Sequence, residues 1–436
     1  LITELKIRRE FVMYKYDVTI IGGGLAGLTA ANFLVKEGKK VVVLEKSNRL
    51  GGRAITNNKN GVLMNLGVHA LLIEGKAMKV LTELGISIPG ENASVKTHGI
   101  WRNKVYPIPT NFTSVLSSKL LTWKGKIVYL KLMLKLTKGN FDSIPEISLS
   151  DWAEREVSDP MVRNIFYSLC RVTTYISAPT LQLAKPVLMR VKLGLTTGVM
   201  YVDGGWETII QELKKQAIES GVEIFYSKKV IEIEHHEQYQ SIRCSDGELY
   251  KVPVCVIAAP PKETLKLVTG SENTSLSTWV NQTIPITASC LDLGVKKLPN
   301  LENQFAIGLD QTYYFTNQSR SAKLSEDNTL VVSLVKYHNP MQQSINPQEA
   351  KVQLETGMDL LHSNWRNEVV AKQFLPEMTV VHDFPHVKRK DNPGPEIPQM
   401  EGIYIAGDWC GHDEILADAA VESGKCAALQ ILAKRT

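Results

Sequence analysis

The sequence predicts an α/β fold: a doubly wound domain assembled from discontinuous segments, with an α+β unit inserted into it. Three observations predict this. An apolar strand pattern at 17–21 runs into a glycine-rich turn and a helix pattern at 26–35, and a second apolar strand follows at 41–44. Short continuous apolar runs, of the kind buried on both faces of a parallel sheet, return at 222–225, 254–258 and 402–406. The stretches between them lack the alternation of strand and helix that would continue such a sheet.

The elements follow in order. Gly38 stops the first helix, because a residue free of Cβ closes a helix end at little cost. A strand is expected over 61–67, a helix over 77–84, and a hairpin over 97–107 turning at Arg102-Asn103-Lys104. Helical patterns dominate 112–193, with breaks at Gly139, Pro145, Pro160, Pro179 and Pro186. The glycine pair Gly204-Gly205 precedes a helix over 206–219, and a hairpin is expected from 229–234 and 240–244. Pro260-Pro261 closes the strand at 254–258. Further strands are expected at 284–293, 329–337 and 378–384, and helices over 350–361 and 415–432. The doubly wound domain thus comprises 14–95, 200–262 and 395–436, and the inserted unit comprises 96–199 and 263–394.

Composition narrows the function classes. The chain has 436 residues, 44% hydrophobic and 22% charged, with a net charge of +5, which suits a globular protein and is too mild to argue for nucleic acid. Six cysteines without a CxxC pair form neither a disulfide framework nor a metal signature, and a reducing, cytoplasmic setting is expected. No apolar stretch reaches the length of a membrane span. Residues 1–12 lack the features of a secretory signal, and Met13 is read as the start, with an extension before it.

The chemistry is carried first by Gly22-Gly23-Gly24-Leu25-Ala26-Gly27. Gly22 permits the tight turn, Gly24 lets a pyrophosphate approach the backbone, and Gly27 lets helix and strand pack closely. The free N–H groups of Leu25 and Ala26 at the helix start favour an anion. Glu45 ends the second strand, where a carboxylate accepts bonds from both ribose hydroxyls and repels a 2′-phosphate. Beyond it, Lys46, Gly51, Gly52 and Arg53 supply backbone that passes close to a ligand and positive charge for its phosphates.

Residues 16–53 resemble the N-terminal signature of the flavin-containing amine oxidoreductase superfamily, which includes phytoene desaturases, protoporphyrinogen oxidases and monoamine or polyamine oxidases. The resemblance implies a Rossmann-like domain that binds FAD, and an FAD-dependent oxidoreductase. Ala406-Gly407-Asp408 is similar to the family's C-terminal flavin motif, in which the acidic residue meets the ribityl or pyrophosphate region. The stretch 417–424, including Ala417 and Ala420, resembles the helix whose N-terminal end faces the pyrimidine edge of the flavin. Val230 matches the position whose apolar side chain touches adenine. Gly67, Val68 and His69 lie where the family brings backbone beside the flavin; His69 could bond the flavin, face the substrate, or be structural.

There is no second G-x-G-x-x-G, so electrons are expected to leave to oxygen, a quinone or another acceptor, with no NAD(P)H domain. No cysteine lies between Cys290 and Cys410, a departure from the covalently flavinylated oxidases that implies non-covalent FAD. The sequence shows no acid–base pair and no metal set; Lys336, Tyr313, Tyr314 and Trp365 are eligible pocket residues. The leading expectation is an oxidase or desaturase passing hydride from an apolar isoprenoid or tetrapyrrole substrate to flavin N5. An amine oxidase and a non-catalytic binding protein on the same scaffold are the alternatives. Lys124, Lys131, Lys135 and Lys138 fall on one helical arc beside Leu130, Leu132, Met133 and Leu136, so peripheral membrane contact is expected there, although Lys126 sits on the apolar side and Ile127, Val128 and Leu134 crowd the basic one.

Overall fold

A computed structural model describes residues 15–342, 345–411 and 413–434; residues 1–12 and Met13 lie outside the described residues. Five parallel strands form the central sheet in the order Glu223–Phe225, Val41–Leu44, Val18–Ile21, Val254–Ile257 and Ile403–Ile405. Val18 lies opposite both Val41 and Val254, so the first strand sits in the middle and its four residues are all buried. That two-sided burial is why these strands read as unbroken apolar runs.

Helices cover one face of this sheet: Leu25–Lys36, Lys76–Glu83, Glu207–Glu219 and Ala417–Ala433 share one core. A Cβ on Gly424 would stand 2.3 Å from the Ala26 carbonyl oxygen, so the first and last helices meet almost backbone to backbone. The other face carries a three-stranded antiparallel sheet, Val230–His235, Gln240–Cys244 and Leu249–Val252, over its own core. The result is doubly wound α/β, as the sequence predicts.

A seven-stranded sheet forms the second unit. Its order is Val369–Val381, Ile286–Val295, Leu330–Tyr337, Tyr313–Asn317, Phe305–Gly308, His98–Trp101 and Lys104–Pro107. Neighbours are antiparallel except Phe305–Gly308 against His98–Trp101. Helix Pro347–Leu361 packs on one face. The other face joins the core of helices Trp123–Lys138, Leu149–Glu156, Pro160–Thr174 and Ala184–Thr197.

Several elements differ from the sequence expectation for identifiable reasons. The stretch 61–67 is the second half of a hairpin, Thr56–Lys59 with Val62–Asn65, turning through Asn60 and Gly61 at φ 55° and 80°. Pro186 does not break a helix; it sits in the first turn of Ala184–Thr197, where no N–H partner is required. The expected strand at 378–384 is the end of a longer one, Val369–Val381, which crosses Pro376 by a register shift opposite Ala288 and Cys290. The last helix begins at Ala417 because Leu416 has φ 64°. Leu132, Leu136 and Lys126 face the core, so the apolar side expected to meet a membrane is turned inward. Among the described residues all cysteines are unpaired, and no helix is long and apolar enough to cross a membrane.

Candidate functional site: two glycine loops against a tyrosine-lined wall

The turn after the first strand contains glycines of two kinds. Gly22 has φ 105°, and a Cβ there would stand 2.6 Å from the Ala258 carbonyl oxygen. On Gly27 it would stand 2.0 Å from the Gly22 carbonyl oxygen. Both are required by packing. Gly24 is extended, at φ −85° and ψ −173°, and a Cβ there would meet nothing closer than the Gly51 carbonyl oxygen at 3.9 Å. Gly52 faces the same gap, with Gly24 Cα at 4.0 Å from its would-be Cβ. Gly51 N–H donates to the Gly23 carbonyl at 2.8 Å, which ties the two loops side by side. Helix Leu25–Lys36 starts beside this gap without a side-chain cap, so its first N–H groups and dipole face it. Side chains on Gly24 and Gly52 would fill a cradle that suits a diphosphate.

Glu45 is buried at the edge of the cradle. Its two oxygens accept from Gly23 N–H and Ser47 N–H, each at 2.8 Å, which fixes the plane of the carboxylate and leaves lone pairs for two hydroxyls. Lys228 N–H donates to the Glu45 carbonyl, and this brings the strand carrying buried Val230 alongside. Lys46 turns to the surface, where its ammonium meets both Glu263 oxygens at 3.0 Å.

Arg53 and Asp408, far apart in sequence, meet at 2.8 Å, and Arg53 also donates to the Val380 carbonyl. Asp408 accepts from His382 through its backbone N–H and Nδ1, both at 2.9 Å. Burial alone would raise Asp408; the Arg53 charge and the His382 bonds outweigh it and hold the carboxyl well below the usual range. Gly407, at φ 152°, donates its N–H to Ser423 Oγ at 2.9 Å and so docks this loop on the last helix.

That helix begins at Ala417, half-buried, with Ala420 buried one turn on. Asp418 anchors its first turn by accepting from Ala77 N–H at 2.8 Å and Arg190 at 2.5 Å. Burial, reinforced by the charge of Asp418, pushes the Glu414 carboxyl just before it up to about 7.

Gly67, Val68 and His69 run between the two units. A Cβ on Gly67, at φ 85°, would stand 2.6 Å from Met378 Cε. His69 Nδ1 lies 3.1 Å from the Gly67 carbonyl oxygen, its ring is 4.8 Å from that of Trp206, and burial lowers it to about 4, so it is neutral near pH 7. Tyr175, at φ 64° just after its helix, donates its hydroxyl to the Val68 carbonyl at 2.8 Å and pairs with the Tyr314 hydroxyl. Tyr314 stacks on Tyr337 with centroids 5.6 Å apart. Burial raises all three phenols, which keeps them neutral.

The structure therefore brings Gly24, Gly52, Glu45 and the first helix start to one cradle, and Arg53 to Asp408. It separates the eligible pocket residues. Tyr314 joins the wall near Val68, whereas Tyr313 and Trp365 pack under helix Pro347–Leu361, and Lys336, on strand Leu330–Tyr337, lines a cleft of about 200 Å³ that also touches Tyr337. Sequence reasoning missed Tyr175, His382, Arg190, Asp418 and Glu414. Only Asp418 left a local signal, a carboxylate in the first turn of a helix.

A parallel sheet with a glycine cradle, an uncapped helix start and a ribose-edge carboxylate defines a dinucleotide-binding protein. Comparison with known proteins makes this more specific. The profile of the family described as flavin containing amine oxidoreductase matches residues 25–287, and the chain belongs to that family. It is an FAD-dependent oxidoreductase. Among its relatives, the 15-cis-phytoene desaturase of Solanum lycopersicum is 24% identical, over 95% of this chain and 77% of its own length. The coproporphyrinogen III oxidase of Bacillus subtilis is 23% identical, over 57% of this chain and 60% of its own. The crystal structure of an oxidoreductase from Methanosarcina mazei superposes with a TM-score of 0.74 at 19% identity, covering 95% of this chain and 99% of that one, which shows a shared fold.

Proposed function

We propose that the protein is an FAD-dependent oxidase or desaturase acting on an apolar substrate of isoprenoid or tetrapyrrole type, with FAD held non-covalently. In this reading 14–95, 200–262 and 395–436 hold the cofactor, and 96–199 and 263–394 face the substrate. Bound FAD would supply the two-electron acceptor, taking hydride at N5 and passing electrons on to oxygen or a quinone. The backbone at Gly24 and Gly52 admits the diphosphate, Glu45 orients the adenosine ribose, and Val230 lies on the adenine side. Arg53 and Asp408 would hold the flavin-side phosphate and ribityl chain, and the helix start at Ala417 would stabilise charge at the flavin's pyrimidine edge.

The observation that carries the substrate class is the wall beside Gly67 and Val68. Met378, Cys290, Tyr175, Tyr314 and Tyr337 form it, and these five side chains are neutral: burial raises the phenols and the Cys290 thiol alike. Behind it the buried Asp292 accepts from Cys290 Sγ at 3.2 Å and from Gln373 Nε2 at 3.0 Å. Such a wall excludes water and positions an apolar chain or ring, whereas a cation would lose hydration there. The likeness to the tomato desaturase along nearly the whole chain supports the same class.

A second reading, an amine oxidase, is favoured by the Tyr314–Tyr337 stack, since paired aromatic faces attract a cationic amine. One experiment separates the two. Purified protein should be yellow and release FAD on heating. Its flavin should then bleach anaerobically with a carotenoid precursor or a porphyrinogen, and slowly with NADH or NADPH. Bleaching by amines alone would move the assignment to the second reading, and protein that takes up no FAD would sink both.

A further inference from the structure

The helical side of the molecule presents a surface that the flavin chemistry does not use. Helix Phe112–Ser117 and helix Trp123–Lys138 lie together, joined by Lys126, whose ammonium donates to the Leu116 carbonyl and lies 4.6 Å from the centre of the Trp123 ring. The inner face of the longer helix, Tyr129, Leu132 and Leu136, is committed to the core. The outer face is not polar. Trp123 is 71% exposed, Ile127 57% and Leu134 59%, and Phe112 and Leu116 on the short helix are 61% and 41% exposed. Positions 123, 127 and 134 follow the i, i+4, i+11 spacing of a single helical stripe, while Leu130 packs against the core. A helix facing only water has no reason to carry this stripe.

Lysines flank the stripe. Lys119, Lys124, Lys131 and Lys138 are exposed and make no ion pair among the described residues, whereas Lys135 is held by Glu156 at 2.6 Å. At about 100° per residue the lysines of the helix form one edge directly beside the apolar stripe, so the outward side divides into an apolar band and a basic band.

From this juxtaposition we propose that the outer face of Trp123–Lys138, with Phe112 and Leu116, docks the protein on an anionic lipid bilayer. Trp123, Ile127 and Leu134 enter the headgroup–acyl boundary while the lysine stems extend to lipid phosphates. The unpaired basic band decides between a bilayer and a protein partner. Lysine is depleted from protein interfaces, where each ammonium would need its own carboxylate, whereas an anionic bilayer offers phosphates alongside an apolar band that enters the acyl boundary. The inference does not rest on the substrate assignment.

The test is flotation of the flavin-loaded full chain with vesicles of phosphatidylcholine, alone or mixed with phosphatidylglycerol. Binding to the anionic vesicles should be at least about tenfold tighter, and it should weaken as added salt shortens the Debye length from ~30 Å at 0.01 M to ~8 Å at 0.15 M. The triple variant Trp123→Ser, Ile127→Ser, Leu134→Ser and, separately, the double variant Lys124→Glu, Lys131→Glu should each lose about tenfold or more in affinity. Both should keep the parent's flavin content and melting temperature, since these side chains point away from the core. Folded protein that ignores anionic vesicles at low salt would overturn the proposal, as would variants that bind like the parent. Sedimentation showing a dimer that only the triple variant dissolves, with no vesicle binding, would assign the face to a second copy of the chain instead.

Discussion

The two walls of the site are built from different materials. The side proposed to hold the cofactor is mostly backbone: Gly22, Gly24, Gly27, Gly51 and Gly52 shape it, and the groups it offers are N–H bonds and one carboxylate. The facing side is made of side chains, Tyr175 from the end of one helix, Tyr314, Tyr337, Cys290 and Met378 from four strands of the larger sheet. A backbone-built wall needs particular residues at consecutive positions, so its requirement is local. A side-chain wall needs only that distant segments converge, and many sequences meet that condition.

The largest effect expected from this contrast lies within the glycine wall itself. Gly27→Val drives a side chain into the Gly22 carbonyl, a rigid backbone neighbour, and should cost more than about 4 kcal/mol, read as insoluble protein or a collapsed melting temperature. Gly24→Val places its side chain in open space at a backbone conformation any residue adopts. Its cofactor-free form should melt within about 1 kcal/mol of the parent, while FAD affinity, followed by flavin fluorescence, falls at least ~100-fold. A Gly24→Val protein that binds FAD like the parent would break the division between packing and ligand glycines.

A smaller effect is expected where the last helix meets the site. Burial, with Asp418 beside it, raises Glu414 to about 7, so the folded chain holds this proton more tightly than the unfolded chain. The stability this contributes is present below pH 4.5 and is lost as pH rises through 7. Glu414→Gln should therefore gain up to about 3 kcal/mol on the parent at pH 8, and little at pH 5. Melting curves at the two pH values check the sign; a variant less stable than the parent at pH 8 would show that the carboxylate is stabilised rather than strained.

The smallest effect sharpens the role of the tyrosine wall. Tyr175→Phe removes the donor to the Val68 carbonyl and the link to Tyr314 while keeping the ring, and should cost about 1–2 kcal/mol. If the phenol also holds the Gly67–His69 strip against the flavin, reduction by substrate should slow while FAD affinity stays put. Unchanged reduction kinetics would confine Tyr175 to packing.

These differences also explain what could be read in advance. The central sheet was legible because strands buried on both faces keep unbroken apolar runs, and Val18–Ile21, Val41–Leu44 and Val254–Ile257 fall where those runs lie. Phe305–Gly308 and Tyr313–Asn317 were not found, being short strands whose partners are set by non-local pairing. Asp408 and Arg53 were each singled out by motif, but their pairing and the bonds from His382 were not, since an ion pair across hundreds of residues leaves no spacing to detect. The lysine arc at Lys124 and Lys131 was visible, yet which apolar residues accompany it outward was not. Leu132 and Leu136 satisfy the core, and Ile127 and Leu134, which spoiled the simple amphipathic pattern, are the residues left exposed.

The sequence by itself determined the parallel sheet, the glycine turn and the carboxylate at its edge, because each is imposed by the conformational needs of a few adjacent residues. Only the tertiary structure decided which tyrosines face Val68, which carboxyl meets Arg53 and which side of the lysine helix reaches solvent. Those outcomes depend on which buried surfaces find one another, and burial energy is proportional to area and blind to position along the chain.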